Sequence, residues 1–262
     1  MTLTNDIFST FAPMKFRIVF LFILLSLHSF SQKSVRDSAI AFTMLGASFQ
    51  YQVPGGDMAD RFGNNYNAGA FLNYKFASNW IITLDGNFLF ADQVKENGVL
   101  DSISTDKGFI IGESGEYATV YLFERGFQFT LKAGKLFPVF GPNKNSGFLF
   151  TAGAGLLQHK IRIEVDKDDV AELSKDYKKG YDRLTNGLAI SENLSYMYCG
   201  NRRLLNFMLG FECTQAFTQS RRDYNFDQMK QDTKKRLDLL YGVKLCWFFP
   251  LYRHAATSFY YY

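Results

Sequence analysis

The sequence predicts an all-β protein, an eight-stranded antiparallel transmembrane β-barrel with long extracellular loops. Three observations support this prediction. Eight segments alternate between apolar and polar residues, aromatic residues make up 17% of the chain with 28 Phe and 15 Tyr, and no apolar run beyond the N-terminal region reaches the roughly 20 residues of a spanning helix. Without such a helix, a closed barrel is the structure that spans a membrane, because the bilayer offers backbone groups no water to bond.

The clearest alternating segment is 203–218. Its odd positions from Leu205 to Phe217 are almost all apolar, whereas its even positions carry an amide, a carboxylate, a hydroxyl and small side chains. Since successive strand residues point to opposite faces, a period of two predicts a β-strand. A strand that crosses a bilayer needs about 9–11 residues, more than the usual 5–6 of a soluble sheet. The pattern predicts an apolar face toward lipid and a polar face toward the lumen.

Seven other segments show the same alternation. The connections between the segments are long and short in turn, which is typical of a barrel with long extracellular loops and short periplasmic turns. Both ends of the chain are then expected on the periplasmic side. The eight predicted strands are 39–53, 66–76, 80–90, 117–136, 147–165, 188–198, 203–218 and 236–249.

Proline and glycine residues set the expected strand ends. The run Pro54, Gly55, Gly56 is expected to end the first strand, and Pro250 the last. The third outer loop, 166–187, is long enough to hold one short helix.

The two ends of the chain carry signals of their own. Basic residues Lys15 and Arg17 precede an apolar run at 18–27, and small residues then lead to a predicted cleavage site after Ser31. Residues 1–31 are therefore expected to be an N-terminal extension and signal peptide, which leaves 32–262 as the barrel. The aromatic tail 259–262 lies beyond the last predicted strand and resembles a terminal signal for barrel-assembly machinery. It is either a further segment or an extension of the last strand, so that ten strands remain an alternative to eight.

Six charged residues fall on the inward phase of their predicted strands. A narrow eight-stranded lumen has little room for water, and isolated buried charges are prohibitive, so these groups are expected to form ion pairs. The pairs predict a plug that closes the barrel, and the alternative is a gated pore. The six residues are Lys75, Asp85, Lys132, Glu212, Asp238 and Lys244.

The last outer loop is rich in basic residues. Arg221, Arg222, Lys234 and Lys235 lie where they would meet phosphates of the outer leaflet. The sequence marks them as candidate lipid-phosphate contacts, and a solvated loop is the alternative.

Several other functions lack a signal in the sequence. The 29 Lys and Arg nearly balance the 25 Asp and Glu, which argues against a nucleic-acid partner. The three cysteines match no metal motif and are expected to stay unpaired. His159 lies near the outer end of its strand, where a membrane enzyme would need it, but no motif completes a catalytic site. We therefore expect no enzyme activity, no cofactor and no metal.

The segments GDMADRFG at 56–63 and GYDRLT at 180–185, with the strand alternation and the aromatic chain end, resemble the PorT-like outer-membrane barrels of the Bacteroidota and small barrels of the OmpA or OmpX type. The resemblance covers 32–262. It implies an outer-membrane location, other envelope proteins as partners, and an accessory role in an assembly such as protein secretion or barrel insertion. A narrow channel or uptake protein is the alternative, followed by an enzyme that processes lipid or peptide.

Overall fold

A computed structural model describes residues 38–174, 176–200 and 205–252, and these residues form nine strands, one short α-helix and three 3-10 turns. Residues 34–251 make up one compact unit. The strands are β1 (Phe42–Gly56), β2 (Asn65–Lys75), β3 (Trp80–Ala91), β4 (Ile110–Ile111), β5 (Tyr117–Phe137), β6 (Gly147–Asp166), β7 (Thr185–Cys199), β8 (Asn206–Ser220) and β9 (Lys235–Tyr252). The connections hold α1 (Asp57–Arg61) and 3-10 turns at Asp101–Ile103, Ala171–Leu173 and Tyr177–Gly180.

Eight of the nine described strands close into an antiparallel barrel. Their order is β3-β2-β1-β9-β8-β7-β6-β5, and β3 also pairs with β5, which joins the two ends of the sheet. The two-residue strand β4 pairs only with the outer end of β5, where Ile110 lies opposite Ala118. The predicted eight-stranded antiparallel barrel is confirmed. Closure pairs the backbone N–H and C=O groups that the edge strands of an open sheet would leave exposed.

The strands alternate between a buried inner face and an exposed outer face. On β8, Met208, Glu212 and Thr214 are buried in the lumen, whereas Leu209 and Phe211 are exposed on the outside. This is the inverse of a soluble barrel, in which the apolar face forms the core. An apolar exterior around a polar interior is the arrangement that a lipid environment stabilises.

Aromatic pairs lie at both ends of the apolar exterior. At the outer end, Tyr66 stacks on Phe90 with ring centroids 5.8 Å apart and contacts Tyr51 at 5.5 Å. At the periplasmic end, Trp247 packs against Phe249 at 4.2 Å. Girdles of this kind mark the two interfaces of a bilayer. The chain forms an outer-membrane β-barrel, as the alternation predicted.

Among the described residues, no helix is long and apolar enough to cross a membrane.

Two predicted strand ends are wrong. β1 continues through Pro54 to Gly56, where the backbone has a φ of 58° and a Cβ atom would lie 2.3 Å from the carbonyl oxygen of Leu237. Glycine therefore lets the strand end pass close to β9. At the other end, β9 runs through Pro250 to Tyr252. Pro250 lies beyond Trp247, the last β9 residue paired with β8, so its missing amide hydrogen leaves that ladder intact.

The short helix that was expected in the third outer loop is replaced by turns of a different kind. That loop contains two 3-10 turns, and the α-helix lies in the first loop instead. Asp168, near the start of the third loop, accepts a 2.6 Å hydrogen bond from the hydroxyl of Ser114 in the second loop. This part of the loop therefore bonds to a neighbouring loop. The predicted signal peptide at 1–31 and the aromatic tail at 259–262 lie outside the described residues.

Candidate functional site

Four buried charges form an alternating ring in the lumen. Lys132 Nζ lies 2.5 Å from Glu212 Oε2 and 2.7 Å from Asp85 Oδ2. Lys244 Nζ lies 3.0 Å from Glu212 Oε2 and 3.1 Å from Asp85 Oδ2. Each cation therefore lies between two carboxylates and each carboxylate between two cations. We call these four residues the central charge cluster.

The central charge cluster connects opposite walls of the barrel. Asp85 and Lys132 come from the neighbouring strands β3 and β5, whereas Glu212 and Lys244 come from β8 and β9. Two other strands lie between these two strand pairs on each side of the barrel, β2 and β1 on one side and β7 and β6 on the other. The contacts Lys132–Glu212 and Lys244–Asp85 therefore cross the lumen, whereas the other two join neighbouring strands.

A small cavity of about 30 Å³ adjoins the cluster. Glu212 Oε1, Asn73 Oδ1 and Ser195 Oγ belong to residues that line it, and none of these three atoms has a hydrogen-bond partner among the described residues. A cavity of this volume has room for about one water molecule, which needs two to four polar partners. Beside the cluster, the lumen is thus almost filled by side chains.

Two of the six residues predicted for the cluster lie elsewhere. Lys75 Nζ, near the periplasmic end, donates to the carbonyl oxygen of Ile40 at 3.1 Å and to Asn145 Oδ1 at 3.0 Å. These partners are neutral, and Lys75 forms no ion pair with another of the described residues. The phase of a strand shows which side a residue faces but gives no height along the barrel, and Lys75 lies at a different height from Asp85.

Asp238 pairs with a histidine near the outer end of the lumen. Its Oδ2 lies 2.9 Å from His159 Nε2 and accepts a 2.5 Å hydrogen bond from Thr218. His159 was expected at the rim, but its side chain is fully buried and packs edge-on against Phe62, with centroids 5.5 Å apart. Sequence reasoning also missed Glu124, which is buried beside them. Glu124 and Lys132 both occupy even positions of β5, so the alternation of this strand already indicated that Glu124 faces the lumen.

The outer mouth of the barrel is covered by α1 and the outer loops, which we call the cap. Arg61 of α1 points into the mouth, where its Nε lies 2.9 Å from Glu96 and its Nη1 donates to Thr185 at 3.2 Å. Arg183 Nε lies 2.8 Å from the other oxygen of Glu96, and its Nη2 pairs with Asp227. This cap ion network joins all four outer connections.

Electrostatics favour the charged forms within the cap. Burial of Glu96 opposes its ionisation, but Arg61 and Arg183 outweigh this effect and hold the pKa of the carboxyl below its usual range. Likewise, burial disfavours the charge on Arg183, and Asp227 and Glu96 reverse the effect and raise its pKa. The pair between Glu96 and Arg183 is therefore charged near neutral pH.

An apolar core lies within the cap. It continues the buried residues of the upper lumen into the loops and packs the loops on one another. Its members include Phe62, Val99, Ile110, Val170, Leu173 and Tyr181, with Phe226 partly buried against them. The cap is thus a folded layer with its own core and ion pairs.

The four candidate lipid contacts have different surroundings. Arg222 forms a two-pronged pair with Asp182 inside the cap, so its guanidinium is committed to a protein partner. Lys234 lies 2.7 Å from Asp57, Arg221 donates to Asn186, and Lys235 is exposed.

Nothing in the described residues marks a metal or redox site. Cys199 and Cys246 are buried, Cys213 is half-buried, and all three are unpaired. Within the described ranges, no group of three or more His, Cys, Asp or Glu side chains is placed to hold a metal ion.

No protein-family model matches the sequence, and no curated protein matches it at a significant level. Among solved structures, the chain is similar to Ail, the attachment invasion locus protein of Yersinia pestis, with a TM-score of 0.38 and 10% identity over 81% of this chain and 99% of that chain. It is similar to Neisserial surface protein A, with a TM-score of 0.38 and 9% identity over 78% and 96% of the two chains. It is also similar to OprG from Pseudomonas aeruginosa, with a TM-score of 0.34 and 15% identity over 85% and 100%.

Proposed function

We propose that this protein is a non-conducting barrel that works through its surfaces, as a structural or accessory component of an envelope assembly such as protein secretion or barrel insertion. The observation that carries the proposal is the obstruction of the lumen by ion pairs between opposite walls, with a folded cap over the outer mouth. A barrel filled in this way offers its loops and its outer face to partners, whereas its interior offers no path.

The lumen supports this reading energetically. Each charge of the central charge cluster is almost fully buried and has two partners of opposite sign. Separating such groups without water to replace the partners costs several kcal/mol per ion. Opening the lumen would require both contacts that cross it to break together.

Co-purification tests this proposal. The tagged protein, extracted from native outer membranes in a mild detergent, is expected to elute as a complex with a partner in fixed stoichiometry. Elution of the barrel alone, after chemical cross-linking of intact cells as well as without it, would contradict an accessory role.

A narrow channel is the second candidate. It is favoured by polar side chains above the cluster, where Gln128 donates to Ser191 at 3.0 Å and to Thr214 at 3.2 Å. Liposome swelling in small sugars would detect such a channel, and we expect none.

We also propose that the protein is not an enzyme. The support is the burial of His159 between Asp238 and Phe62, which keeps its imidazole away from any solute outside the barrel. We further propose that outer-leaflet lipid is a partner. Arg221 stays a candidate phosphate contact, and Arg125 and Lys160 join it because they lie directly opposite each other on the outward face, level with Phe90 of the outer girdle.

A further inference from the structure

An unpaired carboxylate lies in the middle of the lipid-facing surface. Glu192 is on the outward phase of β7, between Ile190 and Leu194, which are both exposed large apolar residues. β7 has three outward-facing residues on the periplasmic side of Glu192 and three on its outer side, so Glu192 lies at the middle of the strand. Glu192 is exposed and forms no ion pair with any described residue. Its carboxyl group therefore faces the hydrocarbon with no counterion among the described residues.

Several outward-facing neighbours of Glu192 are small or polar residues where the rest of the outer face has large apolar ones. Directly opposite it are Ala152 on β6 and Cys213 on β8. One row toward the outside, Ala154 lies opposite Ile190, and Ile190 lies opposite Gln215. On β1 and β2, across the barrel from β7, the outward residues are large, as in the pair Leu45 and Leu72. We call Ala152, Ala154, Glu192, Cys213 and Gln215 the lateral patch.

Lipid is a poor occupant for the lateral patch. A charged side chain on the lipid face of a barrel is destabilising, most of all near the middle of the bilayer. Ionisable groups within a membrane accordingly mark functional positions and have a partner of opposite charge or a hydrogen-bond donor. Small residues at such a position let another backbone approach closely, which is the usual arrangement where spanning segments associate.

We propose that the lateral patch docks a membrane-spanning segment of a different protein, which places a Lys or Arg side chain, or another strong donor, against Glu192. This inference rests on the accessory role proposed above and identifies the face and chemistry of the contact. The cation would neutralise the carboxylate, and the partner's backbone would fill the shallow surface over Ala152 and Ala154.

A second copy of this chain is the weaker occupant. In a two-fold contact each residue meets a different residue of the other copy, and only residues near the axis meet their own equivalents. Glu192 lies in the middle of the lateral patch and would therefore lie near an axis that passes through the patch. Glu192 would then approach Glu192 of the other copy in a low dielectric, where like charges repel strongly. Charge complementarity therefore selects a partner of different sequence.

Site-specific photo-crosslinking in living cells tests the proposal. A photoreactive amino acid at Ile190, beside Glu192, is expected to crosslink one membrane protein through a peptide that contains Lys or Arg in a spanning segment. The matched control is the same substitution at Leu72, which faces outward on β2, four strands from β7 in either direction, and is expected to give no such product.

Variants at Glu192 separate docking from folding. Glu192→Gln should lower the crosslink yield about tenfold, as expected for one charge-assisted hydrogen bond, and Glu192→Lys should abolish it. In phosphatidylcholine vesicles without a partner, Glu192→Leu should unfold at a higher denaturant concentration than the natural chain, because it removes a lipid-facing charge.

Three results would overturn the proposal. They are equal crosslinking from positions 190 and 72, a product that joins two copies of this chain, and a Glu192→Leu variant that crosslinks as well as the natural chain. A partner that crosslinks from the cap, for example from Tyr177, and not from Ile190 would leave the accessory role standing and reject this face. Absence of a partner on every face would instead reject the accessory role.

Discussion

The central charge cluster and the cap ion network are both buried sets of ion pairs, but different parts of the fold hold them. The cluster is carried by four barrel strands, so the register of the sheet fixes its members. The cap network is carried by α1 and three loops, which hold one another in place through Arg61, Glu96, Arg183 and Asp227. The cluster can separate only if the barrel deforms, whereas the cap can open locally. Loss of the cluster should therefore affect global stability, and loss of the cap network should affect the loops.

The largest effect is expected at Glu212. Glu212→Ala leaves Lys132 and Lys244 with one carboxylate between them, and breaking a buried pair in this way costs about 3–5 kcal/mol. The measurement is equilibrium urea unfolding of the refolded barrel in detergent.

A double-mutant cycle shows whether this cost comes from the unpaired charge. Glu212→Ala with Lys132→Ala leaves Lys244 paired with Asp85, so the double variant should be far more stable than Glu212→Ala alone. Glu192→Leu, which removes a carboxylate from the outer face of the neighbouring strand, is the matched control and should not destabilise. Equal losses in the single and double variants would show that the pairing is unimportant.

A smaller, local effect is expected in the cap. Arg183→Ala leaves Asp227 without its buried partner and leaves Glu96 with Arg61 alone, which should destabilise the cap by about 1–3 kcal/mol while the barrel strands stay folded. Limited proteolysis and hydrogen exchange should show faster opening at 92–116 and 221–234, with β5–β9 still protected. Lys234→Ala is the control, since its pair with Asp57 is exposed and worth about 0–1 kcal/mol. Loss of protection throughout the barrel in Arg183→Ala would mean that cap and barrel unfold as one unit.

Acid should weaken the cap in a defined direction. Because the folded-state pKa of Glu96 lies below its usual value of 4.5, the ionised carboxyl stabilises the cap at every pH above about 4.5. That stabilisation is lost as the pH falls through the lower folded-state value. Hydrogen exchange in the cap, corrected for its intrinsic pH dependence, should be constant from about pH 7 to 5 and rise below that range. The variant Glu96→Gln should flatten this dependence, and an unchanged profile would assign it to other groups.

The sequence predicted the parts of the molecule that follow from local periodicity. Alternation predicted the eight strands, the side of the barrel that each residue faces, and the four members of the central charge cluster. It could do so because side-chain direction in a strand depends only on whether a position is odd or even. Height along the barrel depends on register between distant strands, and for this reason parity alone does not show that Lys75 and Asp238 lie away from the central charge cluster. The cap escaped prediction altogether. Arg61 meets Thr185 across 124 positions of the chain, and no local pattern in the loops indicates such a contact.

Single-channel recording tests the closed lumen most directly. The purified barrel, inserted into planar bilayers in about 1 M KCl, is expected to give no conductance steps, because buried ion pairs are screened far less than exposed ones even at high salt. Heat-modifiable migration of the same sample would verify that the inserted protein is folded. Regular conductance steps from the natural chain, with an ion selectivity that changes in Glu212→Ala, would show that the central charge cluster lines an open pore.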